Sequence, residues 1–109
     1  MPLALGEFEQ IVLLAVLRLG DGAYGVSIRA EIMKRADRAP TPGALYLTLD
    51  RLEEKRFVTS RLGDPTPQRG GRAKRYFSVT KVGVEAVRRA QLAYRSLLEG
   101  VEILGGAHA

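Results

Sequence analysis

One ten-residue stretch, Gly63-Asp64-Pro65-Thr66-Pro67-Gln68-Arg69-Gly70-Gly71-Arg72, constrains the fold of this chain more than any other. Its prolines, glycines and charges cannot line a core, so it reads as a surface turn. The segments on either side read as strands. Phe57 to Leu62 leads in, and Lys74 to Val79 leads out with Phe77 and Val79 alternating with polar neighbours. The pair makes an antiparallel hairpin with a long basic tip. An isolated hairpin is marginal in water, so this one must lean on helices.

Three helical patterns precede the hairpin. From about Gly6 to Arg18, Phe8, Ile11, Val12, Leu14 and Ala15 recur at spacings of three and four, and Gly20-Asp21-Gly22 stops the run. From about Tyr24 to Ala36, the residues Tyr24, Ile28, Ile32 and Ala36 recur every fourth position. The third pattern has the clearest start: Thr41 is an N-cap, and Pro42 stands at the first helical position, where its missing N–H costs nothing. Leu45, Leu49 and Leu52 then share one face, and the pattern ends near Arg56. After the hairpin, Thr80 caps a last helix expected to reach about Leu104. Along it Val84, Val87, Gln91, Tyr94, Leu98 and Val101 are spaced three and four in alternation, a heptad seam that suits a partner helix. Folding back onto its own domain is the other use for such a stripe.

The expected fold class is therefore mainly α with a small β-hairpin. A winged helix–turn–helix fills residues 1–80, a C-terminal dimerisation helix residues 81–104, and a frayed tail residues 105–109. At 109 residues the chain has room for little more.

Charge adds a direction. Between Lys55 and Lys81 stand eight basic residues and one acid, Asp64, a segment of +7 in a chain of +5, which leaves −2 elsewhere. The basicity is one local patch, centred on the hairpin, of the density that phosphate neutralisation requires. A solvated loop is the plainer account of such a patch.

If the third helix enters a major groove, its leading half offers Thr41, Gly43, Ala44, Leu47 and Thr48. Gly43 and Ala44 permit close backbone approach, Thr48 is suited to a base edge and Leu47 to a thymine methyl. Arg51 lies one turn on, within reach of phosphate or guanine. Tyr46, at the helix edge, is suited to phosphate. Leu47 packed under the wing and Tyr46 in the core are the alternatives. On the outer face, Asp50 and Glu54 would repel phosphate. In the wing, Arg69, Arg72, Lys74 and Arg75 are the candidates, with Arg72 for a minor groove and Lys74 and Arg75 for the backbone.

Most enzyme chemistry lacks its raw material. There is no Cys, and the sole His is His108, so thiolate or histidine metal sites and Ser–His triads are excluded. Glu53 and Glu54 are adjacent and point about 100° apart on a helix, so they cannot flank a substrate. No cofactor and no metal are expected. The longest apolar run, Ile11 to Leu17, is too short to span a bilayer, and the first residues carry no export signal; a cytoplasmic protein without membrane contact is expected. Two non-DNA readings stay open: an adaptor whose basic wing meets an acidic protein, and a structured-RNA binder without an aromatic platform.

Five segments carry a family resemblance: Leu5-Gly6-Glu7-Phe8-Glu9, Ala23-Tyr24-Gly25-Val26-Ser27-Ile28, Thr41-Pro42-Gly43-Ala44-Leu45-Tyr46, Leu49-Asp50-Arg51-Leu52-Glu53 and Lys74-Arg75-Tyr76-Phe77-Ser78-Val79-Thr80-Lys81-Val82-Gly83. In order and spacing they resemble the signatures of PadR-type transcriptional regulators over about residues 5 to 84, and the single C-terminal helix is similar to the compact subgroup. The resemblance implies a homodimeric bacterial repressor on an inverted-repeat operator in double-stranded DNA, joined through its C-terminal helices. Some relatives release DNA when a small aromatic or cationic effector binds, often between subunits. The chain departs from the pattern in having Tyr24-Gly25 where many members read Gly-Tyr, and Arg56 where many have glycine. Arg56 must then adopt the left-handed conformation without glycine's freedom, or the helix must end differently. It also lacks tryptophan, unlike members with a Trp-lined effector pocket.

Overall fold

The computed structural model describes residues 5–64 and 73–102. Its elements are α1 (Glu7–Leu19), a 3-10 turn (Gly20–Gly22), α2 (Gly25–Ala36), α3 (Pro42–Glu54), β1 (Val58–Leu62), β2 (Arg75–Val79) and α4 (Lys81–Leu98). Each helix opens on a hydrogen bond that its sequence provides. The Gly6 N–H donates to Glu9 Oε1 at 2.8 Å, and the Tyr24 N–H donates to Ser27 Oγ at 3.0 Å. Thr41 Oγ1 accepts from the Ala44 N–H at 3.1 Å, with Pro42 at the first helical position. Between α2 and α3 the chain turns at Asp37, whose φ is 52°, and Arg29 Nε ties the turn down by donating to the Pro40 carbonyl at 2.6 Å.

The core forms where α1, α2, α3 and the hairpin meet. Leu13, Ile28, Ile32, Leu45, Leu49, Leu52, Val58 and Phe77 are buried there. β1 and β2 pair antiparallel from Val58–Val79 to Leu62–Arg75. The segment before α2 adds a minimal third rung: Phe77 N–H donates to the Ala23 carbonyl at 2.8 Å, and Tyr24 bridges Tyr76. The hairpin is thereby fastened to the helices, as its marginal stability alone requires.

Glu9 and Lys55 make a buried cross-link between the start of α1 and the end of α3. Lys55 Nζ lies 2.9 Å and 2.8 Å from the two carboxylate oxygens. Burial by itself raises the pKa of Glu9, but the Lys55 ammonium, the Gly6 N–H and the Arg51 charge outweigh it and hold the carboxyl below its ordinary value of 4.5.

Arg56 adopts the left-handed conformation at φ 66°, without glycine's freedom there. Arg56 N–H bonds the Glu53 carbonyl at 3.0 Å and Phe57 N–H the Leu52 carbonyl at 2.9 Å, which satisfies the last turn of α3.

The C-terminal helix departs from expectation in two ways. α4 ends at Leu98 instead of near Leu104; Gly100 follows at φ 77°, a turn that takes the chain off the helical path. Leu104 and the expected tail 105–109 lie outside the described residues. The seam is also divided. Val87 is buried in the chain's own core and so is not free for a partner, Val84 is half-buried, and Gln91, Tyr94 and Leu98 are exposed. Val101 lies beyond the helix, its N–H on the Leu98 carbonyl at 3.1 Å. The root of α4 is pinned by Thr80, whose hydroxyl donates to the Arg56 carbonyl at 2.8 Å and accepts from the Gly83 N–H at 3.0 Å. Gly83 itself is buried so tightly that a Cβ there would overlap the Phe57 carbonyl oxygen.

Candidate nucleic-acid interface

α3 divides cleanly between core and water. Leu45, Leu49 and Leu52 face inward, whereas Thr41, Gly43, Ala44 and Leu47 are exposed, Leu47 to 60%. Arg51 is exposed one turn further along. Thr48 is a correction. It stands three residues after Leu45 and four before Leu52, inside the buried arc of the helix, and only 6% of its surface is open. Its hydroxyl cannot reach a base edge.

Tyr46 lies at the margin, 39% exposed, with its hydroxyl end resting on Gly25 at the start of α2. That contact sets the first turns of α2 and α3 side by side. Tyr24, the N-cap of α2, carries the Lys74 ammonium over its ring at 4.2 Å. A cation from the loop end of the hairpin is therefore stationed beside the start of α2.

Arg75, the next residue on β2, has a different fate and is the second correction. Its guanidinium binds Glu53 of α3 and reaches Asp50 at 3.1 Å, donates to Ser60 Oγ at 3.2 Å and stacks over Phe77 at 4.8 Å. Lys74, just before β2, lies over Tyr24, so the two neighbouring cations have different partners. Arg75 is a strut between wing and α3, neutralised by two carboxylates and not available to a phosphate backbone. It also offsets the repulsion expected from Asp50. Arg69 and Arg72 lie outside the described residues.

The sequence reading passes over Arg61 and the tyrosine pair. Arg61 Cζ sits 4.8 Å above the Tyr76 ring, its cross-strand partner, and Tyr76 meets Tyr24 edge-on with centroids 5.6 Å apart. The signal was present in the hairpin register, which sets Arg61 opposite Tyr76. No group of acids or histidines able to hold a metal occurs among the described residues, and none of their helices is long and apolar enough to cross a membrane.

Comparison with known proteins bears on this arrangement. Residues 13–89 match the transcriptional regulator PadR-like family. Comparison with curated proteins gives no match. Among solved structures, the chain is similar to a PadR family transcription regulator from Clostridium difficile, with TM-score 0.69, 20% identity, and 94% of this chain and 99% of that one covered. A PadR-like transcriptional regulator from Bacillus cereus superposes with TM-score 0.71 at 18% identity, covering 89% of each chain. A transcriptional regulator from Streptococcus gives TM-score 0.69 at 24% identity, over 90% of this chain and 91% of that one. The winged helix–turn–helix read from helices, hairpin and charge is the fold these proteins share, and with most of its length inside the family match, this chain belongs to the PadR-like family of transcriptional regulators.

Proposed function

We propose that the chain is a sequence-specific DNA-binding regulator that acts as a homodimer, represses from an inverted-repeat operator and is released by a small aromatic or cationic effector. The observation that carries this reading is the division of α3. Its core face is fully spent, while Thr41, Gly43, Ala44 and Leu47 at its leading end present small groups and one apolar side chain to solvent. Small residues let a helix settle deep in a major groove, and Leu47 is suited to a thymine methyl. Tyr46 and Arg51 on the flanks and Lys74 at the loop end of the wing are the backbone contacts that position the helix, with Arg69 and Arg72 of the wing tip adding charge.

Support for the dimer comes from α4. Past Val87 every residue of the helix except Ala90 is exposed, including Tyr94 to 50%, Leu97 to 77% and Leu98 to 43%. A projecting helix with such a stripe is stabilised by a partner that covers it, and a second copy brings a second α3 for the other half-site. An effector bound near Tyr94 would lie between the subunits.

Selection of bound duplexes from a random pool tests the proposal in one step. The expected result is an enriched palindrome with half-sites about one helical turn apart, outcompeting a scrambled duplex. Binding to all duplexes alike would remove sequence specificity, and retention of an acidic protein in place of any duplex would favour the adaptor.

A further inference from the structure

We propose that Arg61 and Lys74, each seated on the face of a tyrosine, form a preset site for the phosphodiester backbone at the loop end of the wing. The inference rests on the DNA-binding reading and names residues that do part of its work.

Four of the six described cations of the basic patch divide by what they face. Lys55 is spent on Glu9, and Arg75 on Asp50 and Glu53. Lys74 and Arg61 face no carboxylate among the described residues; each lies over an aromatic ring instead, at 4.2 Å and 4.8 Å. A ring differs from a carboxylate as a partner. It holds the cation through its quadrupole without cancelling the charge, so the outer side of the cation still attracts an anion. The two rings are themselves fixed. Tyr24 and Tyr76 meet edge-on at 5.6 Å, their backbones form a bridge, and the adjoining Phe77 N–H is bonded to Ala23. The order Lys74, Tyr24, Tyr76, Arg61 is thus one ladder with a positive charge at each end, on backbone held by the Tyr24–Tyr76 bridge and by the Gly63 N–H on the Lys74 carbonyl.

Its position suits a DNA backbone. Tyr24 caps α2 beside Gly25, on which the Tyr46 hydroxyl of α3 rests, so the ladder starts next to the helix proposed for the groove. Lysine and arginine side chains lose much rotamer freedom when they are immobilised on a ligand. The rings have already imposed much of that loss in the free protein, so less of it is charged to binding.

Salt-dependent binding tests the proposal, using the full chain and the duplex recovered by the wild type from a random pool. Each phosphate contact contributes about 0.9 to the slope of log Kobs against log salt. Arg61→Gln and Lys74→Gln each remove one contact from both protomers of the dimer, so each should lower the slope by about 1.8, and the double variant by about twice that. Tyr24→Leu, which leaves the charge unchanged, should weaken binding about two- to fivefold, whereas Tyr24→Phe keeps the ring and the affinity. Thermal melting of every variant separates these effects from loss of fold. If both cation variants keep the wild-type slope, or if they only lower the melting temperature, Arg61 and Lys74 merely cover the rings and the proposal is overturned. A wild type that binds no duplex at all would overturn the DNA reading beneath it, which is a different failure.

Discussion

Leu45, Leu49 and Leu52 of α3 lie at spacings of three and four, and none keeps more than 1% of its surface in water; Tyr94 and Leu98 of α4 lie four apart and keep 50% and 43%. The two helices carry the same kind of stripe. What differs is the neighbourhood: α3 is closed in by α1, α2 and β1, while α4 leaves its domain after Val87. Spacing therefore establishes that a helix has an apolar face, and the rest of the chain decides whether that face is already covered. In α1–α3 it stabilises the fold; in the outer part of α4 it stays uncovered.

This contrast can be broken by experiment. Leu49→Ala, in the closed region, should cost about 2–5 kcal/mol in chemical denaturation, the range for a large-to-small change that leaves a cavity. A smaller cost would mean that the body is loosely packed and the contrast overstated.

Glu9→Gln should cost roughly 1–2 kcal/mol, since it leaves the Lys55 ammonium half-paired; that figure is below the cost of a fully dry pair because Lys55 keeps 20% of its side chain in water. The same pair gives a pH signature. With its folded pKa held below 4.5, Glu9 adds stability that is full above that pH and is lost as pH falls through the folded value. Acid titration of stability should show this loss in the wild type and a reduced loss in the variant.

Arg56→Gly should raise stability by about 1 kcal/mol by removing the strain of a side chain at φ 66°, measured as a higher denaturation midpoint. A drop would place the greater weight on backbone entropy.

Leu98→Asp should have the least effect on the body, within about 0.5 kcal/mol at dilutions where wild type is already monomeric. In sedimentation at higher concentration it should convert dimers to monomers. Persistent dimers would put the interface elsewhere and end the contrast between the two regions.

Much of the fold was legible because its signals are local. Thr41-Pro42 marks the start of α3 within a few residues, and the two strands that pair were read from the residues flanking the Gly63–Arg72 run. The left-handed Arg56 is one of the two endings that the resemblance leaves open, because many members have glycine at that place. The illegible parts depend on partners distant in sequence. In α1 the run Ile11 to Leu17 is apolar almost all round, so periodicity pointed to Leu14, whereas Leu13 is the buried residue and Leu14 is 38% exposed. Arg75 reads as one more wing cation until β2 is laid across α3, which brings it to carboxylates 22 and 25 positions away. Thr48 reads as a polar outer residue until hairpin and helices close over that side of α3. For the candidate site, charge density points to a region, and only the structure shows which of its described cations are already paired, because a sequence counts cations without showing which are neutralised.

The contact of Gly83 with the Phe57 carbonyl has a consequence for the course of α4. With no side chain between them, the angle at which α4 leaves the domain is determined by main chain against main chain. Substitutions along the outer stripe leave that joint untouched, whereas any side chain at position 83 would push α4 off the Phe57 carbonyl and change the bearing of the whole rod.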